Sequence, residues 1–104
     1  MAFADNLKAL PSVAHLAAIQ LIDSTGAVAA TIENKPGQAG SLAVYAALAA
    51  KHGSINVAAA QEGLDIYAEH TADSRANPGK HPNIDRLLKV IERGDGFVVK
   101  LISA

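Results

Sequence analysis

Three groups of residues have side chains whose types and spacing could do chemistry. The first is the loop Asn34-Lys35-Pro36-Gly37-Gln38-Ala39-Gly40-Ser41. Pro36 and the two glycines cannot continue a strand or a helix, and Ser41 can accept a backbone N–H as the N-cap of a helix from Leu42 to His52. The second is Ala76-Asn77-Pro78-Gly79-Lys80-His81-Pro82, with Asn83 placed to cap the next helix and Asp85 in its first turn. Each loop brings a lysine to a helix N-terminus, where free N–H groups and the positive end of the dipole favour an anion. If the two helices start at the same end of the molecule, Lys35, Gly37, Gly40, Ser41, Lys80, His81 and Asn83 form one binding site for a phosphate or carboxylate. The order of residues is not that of a phosphate loop, because Lys35 precedes its glycines instead of following them. The plainer alternative is a pair of connections whose Pro and Gly only make turns.

The third group is His70, Asp73 and His81. His70 and Asp73 share a helix face at i, i+3 and His81 follows on the loop, so two imidazoles and one carboxylate offer a metal-ligand set. The same residues could serve a small metal-dependent or phosphate-directed enzyme, with Thr71 or Ser74 as nucleophile. Against this stands the simpler reading, a surface His70 and a His81 that bonds within its loop. Neither Gly-x-Ser-x-Gly nor His-Glu-x-x-His occurs in the chain.

The elements that must position these groups follow from periodicity. Phe3, Leu7 and Leu10 predict a helix over about residues 2 to 10, closed by Pro11. An extended stretch over 18 to 23 puts Ile19 and Leu21 on one face, Asp23-Ser24-Thr25-Gly26 reads as a bulged hairpin turn, and the return strand runs over about 27 to 33. Val28, Ala30 and Ile32 are expected on its buried face. Leu42, Tyr45, Leu48 and Ala49 make the stripe of the next helix. Asn56 is the expected cap of the longest helix, which runs to about Arg75. Gly63, inside it, costs about 1 kcal/mol relative to Ala, and so predicts a bend or a close helix crossing. Ile66 lies off the apolar stripe and is expected to be exposed or to touch a partner. Ile84, Leu87, Leu88 and Ile91 line the last helix, and residues 96 to 102 form a strand. The order is α-β-β-α-α-α-β, an α+β domain over residues 1–104 with a three-stranded antiparallel sheet and helices packed mainly on one face.

With these residues laid out, Asn34 to Leu42, Glu69 to Asp73 and above all Pro78-Gly79-Lys80-His81-Pro82-Asn83-Ile84-Asp85-Arg86-Leu87 resemble a family of roughly hundred-residue proteobacterial proteins, a domain of unknown function. The resemblance spans nearly the whole chain. It implies a cytoplasmic bacterial protein and brings no activity, cofactor or catalytic residue.

Ten acidic against nine basic residues give a net charge of −1, so nucleic acid is not the expected partner. With no cysteine, disulfides and thiolate chemistry are excluded. No basic leader opens Met1-Ala2-Phe3-Ala4-Asp5-Asn6 and no apolar run reaches the roughly 18 residues of a membrane span, so a soluble protein is expected. Glu62, Asp65, Glu69 and Asp73 form an acidic stripe and Arg86, Lys89 and Arg93 a basic one, either as solvated faces or as surfaces for a partner protein. The hairpin leaves the last strand at an edge, yet Phe97, Val99 and Leu101 alternate with Val98 and Ile102 as in a buried strand. A homodimer that continues the sheet through residues 97–102, or a helix over that face, resolves the conflict.

Overall fold

The computed structural model describes residues 2–104; Met1 and its part in the N-terminal reading lie outside the described residues. The chain runs through α1 (Phe3–Lys8), β1 (Leu16–Ile22), β2 (Val28–Glu33), α2 (Ala39–His52), α3 (Val57–Tyr67), α4 (Glu69–Ala76), α5 (Pro82–Arg93) and β3 (Val98–Ser103). The strands form an antiparallel sheet in the order β2-β1-β3, with the helices packed against it. Among the described residues no helix is long and apolar enough to cross a membrane.

The hairpin follows from Asp23. Its Oδ1 accepts from Thr25 N at 2.9 Å, Thr25 Oγ1 at 2.6 Å and Ala27 N at 3.2 Å, while Gly26 N donates to its carbonyl at 3.0 Å. The register shifts between Leu21 and Ile22, so that Leu21 lies opposite Ala30 but Ile22 lies opposite Val28. This bulge corrects the expected alternation of β2, because it turns Val28 to the face opposite Ile32 and leaves it 51% exposed.

Ile19, Leu21 and Ile32 on one face of the sheet are buried with Leu42, Tyr45, Leu48, Ile55, Leu64, Ile84, Leu87 and Val90 in one cluster. The other face carries Gln20, Ile22, Thr31, Val98, Lys100 and Ile102 and stays largely open. Ile66 is half-buried and packs on the cluster, with Asn6 Nδ2 of α1 donating to its carbonyl at 2.9 Å. Its side chain is thus partly taken up by the chain's own core.

Asn56 caps α3 as expected, its Oδ1 accepting from Ala59 N at 2.8 Å. The expected longest helix is nevertheless two helices. Ala68 takes a left-handed φ of 52° between α3 and α4, which makes α2, at 14 residues, the longest. Thr71 Oγ1 donates back to the Leu64 carbonyl at 2.6 Å across this joint. No apolar periodicity marks the break, which tertiary packing imposes.

Gly63 is the expected close crossing. A Cβ there would stand 2.6 Å from Leu87 Cδ1 and 2.9 Å from Leu48 Cδ1, so α3 touches α5 and α2 through its backbone. At Gly96 a Cβ would stand 2.0 Å from the Ile55 carbonyl oxygen. Ile55 and Phe97 exchange two backbone hydrogen bonds beside it, at 2.8 and 3.0 Å.

These two sites respond differently to one methyl group. Gly63→Ala meets leucine termini, so about 1–3 kcal/mol of overpacking is offset by about 1 kcal/mol of helix propensity. Gly96→Ala meets main chain and has no such offset, with an expected loss of about 3 kcal/mol. Urea unfolding of both variants checks the ranking; a Gly96→Ala as stable as the parent would contradict the close approach.

Candidate functional site

The two loops do meet. Gly37, Gly40 and Ser41 from the first, and Lys80, His81 and Asn83 from the second, line one cleft of about 270 Å³. Phe3, Tyr67, His70, Pro82 and Ile84 complete it. Of the seven residues expected here, Lys35 alone lies outside, its Nζ 2.7 Å from Glu33 Oε2.

The helix starts differ from the expectation, and the difference shapes the cleft. Gln38 N and Ala39 N both donate to the Lys35 carbonyl, at 2.9 and 2.8 Å, so the chain winds into α2 three residues before Leu42. Gln38 is therefore the N-cap and Ser41 lies in the first turn. The Gln38 side chain turns back to accept from Glu33 N at 3.2 Å, and the Ser41 hydroxyl accepts from Tyr67 OH at 2.7 Å. In α5 the N-cap is His81, because Pro82 has the fixed φ and missing N–H that suit the first helical position. Asn83 follows it in the first turn, and its Oδ1 accepts from Arg86 Nη1 at 2.7 Å.

Neither helix has a side-chain cap. Leu42 N donates to the Gln38 carbonyl, and Ile84 N and Asp85 N donate to the His81 carbonyl. Among the described residues Gly40 N, Ser41 N and Asn83 N have no acceptor, and these three residues all line the cleft.

One wall is aromatic. Phe3 stacks on Tyr67 with ring centroids 5.1 Å apart, His70 stands edge-on to Phe3 at 5.2 Å, and His81 lies 5.6 Å from His70. Tyr67 is a buried phenol whose pKa burial pushes up. Tyr45, beneath the site, donates its OH to the Asn83 carbonyl and is pushed up to about 12 by burial. Both phenols therefore stay protonated and act as fixed donors.

Asp73 organises the second loop. Its Oδ2 takes His81 Nε2 at 2.7 Å and Lys80 Nζ at 3.0 Å, and its Oδ1 accepts from Asn77 Nδ2 at 2.9 Å. These bonds, that of His81 foremost, lower its pKa to about 2. Asp73 and His81 are thus joined by a hydrogen bond, with a lysine ammonium on the same carboxylate oxygen, while His70 stands against the His81 ring. Among the described residues no group of three or more His, Asp or Glu stands in an arrangement that holds a metal ion. Asp85, expected to act on the helix dipole, also clamps the loop, its two oxygens accepting from Ser74 Oγ at 2.6 Å and Gly79 N at 2.8 Å.

Phe3 and Tyr67 were not legible as cleft residues. Tyr67 sits on the apolar stripe of α3 and reads as core, and Phe3 arrives from a helix far away in sequence. Only the packing of α1 against α3 brings them together.

Since the folded pKa of Asp73 is depressed, the stability it contributes is present above its ordinary value near 3.8 and is lost as pH falls through about 2. Asp73→Asn is expected to lower the urea midpoint at pH 7 and to flatten the fall in midpoint between pH 4 and 2. Parallel pH curves for the two proteins would contradict this assignment.

A family model described as uncharacterised protein conserved in bacteria (DUF2322) matches residues 3–101. Neither the curated proteins nor the solved structures contain a match.

Proposed function

The chain belongs to this family of uncharacterised bacterial proteins, and from the geometry of its cleft we propose that it is a ligand-binding module for a small anion, a phosphate or a carboxylate. One observation carries the reading. The three first-turn N–H groups without an acceptor, those of Gly40, Ser41 and Asn83, come from two helices and line one cleft beside Lys80 and His81. Two helix N-termini favour negative charge there by about 0.3–1 kcal/mol each at exposed positions. Lys80 adds positive charge, which Asp73 partly neutralises until a ligand competes for it.

Inorganic phosphate titrated into the full chain, followed by amide NMR, tests the proposal. Shifts at Gly40, Ser41 and Asn83 should saturate together. Asp73→Asn should tighten the binding, because it removes the competing carboxylate, and Lys80→Ala should weaken it. Shifts at one helix start without the other would reduce the site to an ordinary turn.

A second reading, self-association through β3, rests on the strand's edge. Ala17 and Asp23 bond to β2-side residues, and Ala104 N donates to the His15 carbonyl beside β1. By alternation, residues 98, 100 and 102 turn their peptide groups to β1, while 97, 99, 101 and 103 turn theirs outward. Ile55 takes both groups of Phe97, which leaves those of Val99, Leu101 and Ser103 for a partner strand. That short edge is self-complementary about Leu101, which is 53% exposed. A second copy pairing antiparallel there would set Leu101 opposite itself, at about 5.5 Å between Cα atoms, within disulfide reach. Leu101→Cys in this cysteine-free chain should therefore cross-link to a dimer under mild oxidation. A chain that stays monomeric by light scattering and fails to cross-link would rule the pairing out.

A further inference from the structure

We propose that α5 carries a second binding site, in a cleft of about 350 Å³ against the β1–β2 hairpin, for a phosphate monoester with an aromatic or apolar body. The site is separate from the cleft of the two loops. Arg86, Lys89, Val90 and Arg93 follow at i, i+3, i+4 and i+7, and so share one face of α5. All four line the cleft, across from Asp23, Ser24 and Thr25 of the hairpin and from the segment Asp95 to Phe97.

The cations are available for a ligand. The five ion pairs among the described residues use Lys35, Lys51, His52, Lys80 and His81, and none uses Arg86, Lys89 or Arg93. The charge on this face of α5 is thus unneutralised by any carboxylate within ion-pair distance. Arg86 is also held in place. Its Nη1 donates to Asn83 Oδ1 at 2.7 Å and to Tyr45 OH at 3.3 Å, and its guanidinium carbon lies 5.7 Å from the Tyr45 ring centroid. A guanidinium fixed on one edge meets an anion with less loss of side-chain freedom than a mobile one.

The rest of the cleft sets the ligand's orientation. Ala29, Val90 and Phe97 give it apolar surface, and Phe97 is fixed by its two bonds to Ile55. Two carboxylates face the three cations. Asp23 Oδ1 is engaged by its own turn, and Asp95 stands on the far side of Gly94 from α5. Their negative charge keeps a phosphate at the α5 wall, where three cations suit a dianion, and leaves the body of the ester over Phe97.

Titration of the full chain with phenyl phosphate, inorganic phosphate and phenol, followed by amide NMR, tests the site. Phenyl phosphate should shift Ser24, Thr25, Gly96 and Phe97 saturably, with an affinity at least about tenfold above that of inorganic phosphate at the same amides. Lys89→Glu combined with Arg93→Glu changes two exposed residues and should abolish those shifts, while the response of Gly40 and Ser41 to phosphate persists. Lys89→Arg should retain binding. Shifts confined to Gly40, Ser41 and Asn83, equal binding of phenol, or undiminished binding by the charge-reversed variant would each overturn the proposal.

Discussion

The missing side chain at Gly63 is the constraint on which the helical layer depends. Because α3 meets Leu48 and Leu87 with bare backbone, α2 and α5 can both lie against it, one on each flank. Glycine in a helix costs about 1 kcal/mol, and the packing of two leucines at that point offsets it. The first turns of α2 and α5 then reach the same end of the layer, where α3 ends in Tyr67. Tyr45 fixes the arrangement from below, since its buried hydroxyl must find a partner and finds one in the Asn83 carbonyl. A helix crossing set in the core thus determines what lies side by side at the surface.

The two groups of basic residues experience opposite surroundings. Lys80 and His81 share one carboxylate oxygen of Asp73, which holds the second loop in shape and mutes its charge. Among the described residues, the cations of α5 have no carboxylate within ion-pair distance. Exposed pairs contribute little to stability in general, so the contrast matters more for what each surface attracts than for how firmly the chain folds.

Much of the fold is legible in local chemistry. Asp23 and Gly26 specify the hairpin, Asn56 caps α3, and the alternation of Ile19 with Leu21 marks the buried face of the sheet. The two matching Pro-Gly segments before helices are legible too, but their meeting in one cleft is not, because it depends on where α2 and α5 start in space. The helix starts are not. Ser41 and Asn83 both have good capping side chains, yet the Lys35 carbonyl begins α2 earlier and the ring of Pro82 places the start of α5 one residue ahead of Asn83. Nor is the break at Ala68, since alanine is the best helix former and gives no local reason to stop. What decides there is the need to fold α4 back beside α5, a long-range demand that leaves no mark on nearby residues.

That break has a thermodynamic consequence. The side chains that α4 buries are Thr71 and Ser74, both polar, and hydrogen bonds to Leu64 and Asp85 hold the helix in place. Heat-capacity change on opening scales with the hydrocarbon brought into water, and this segment brings almost none. Its detachment from the core would therefore have an enthalpy and an entropy that hardly change with temperature, and a free energy that falls almost linearly on warming. The leucine-lined core beneath it would follow the usual curved dependence. Warming would then favour the release of α4, with His70 and Asp73 aboard, in steady proportion to the temperature.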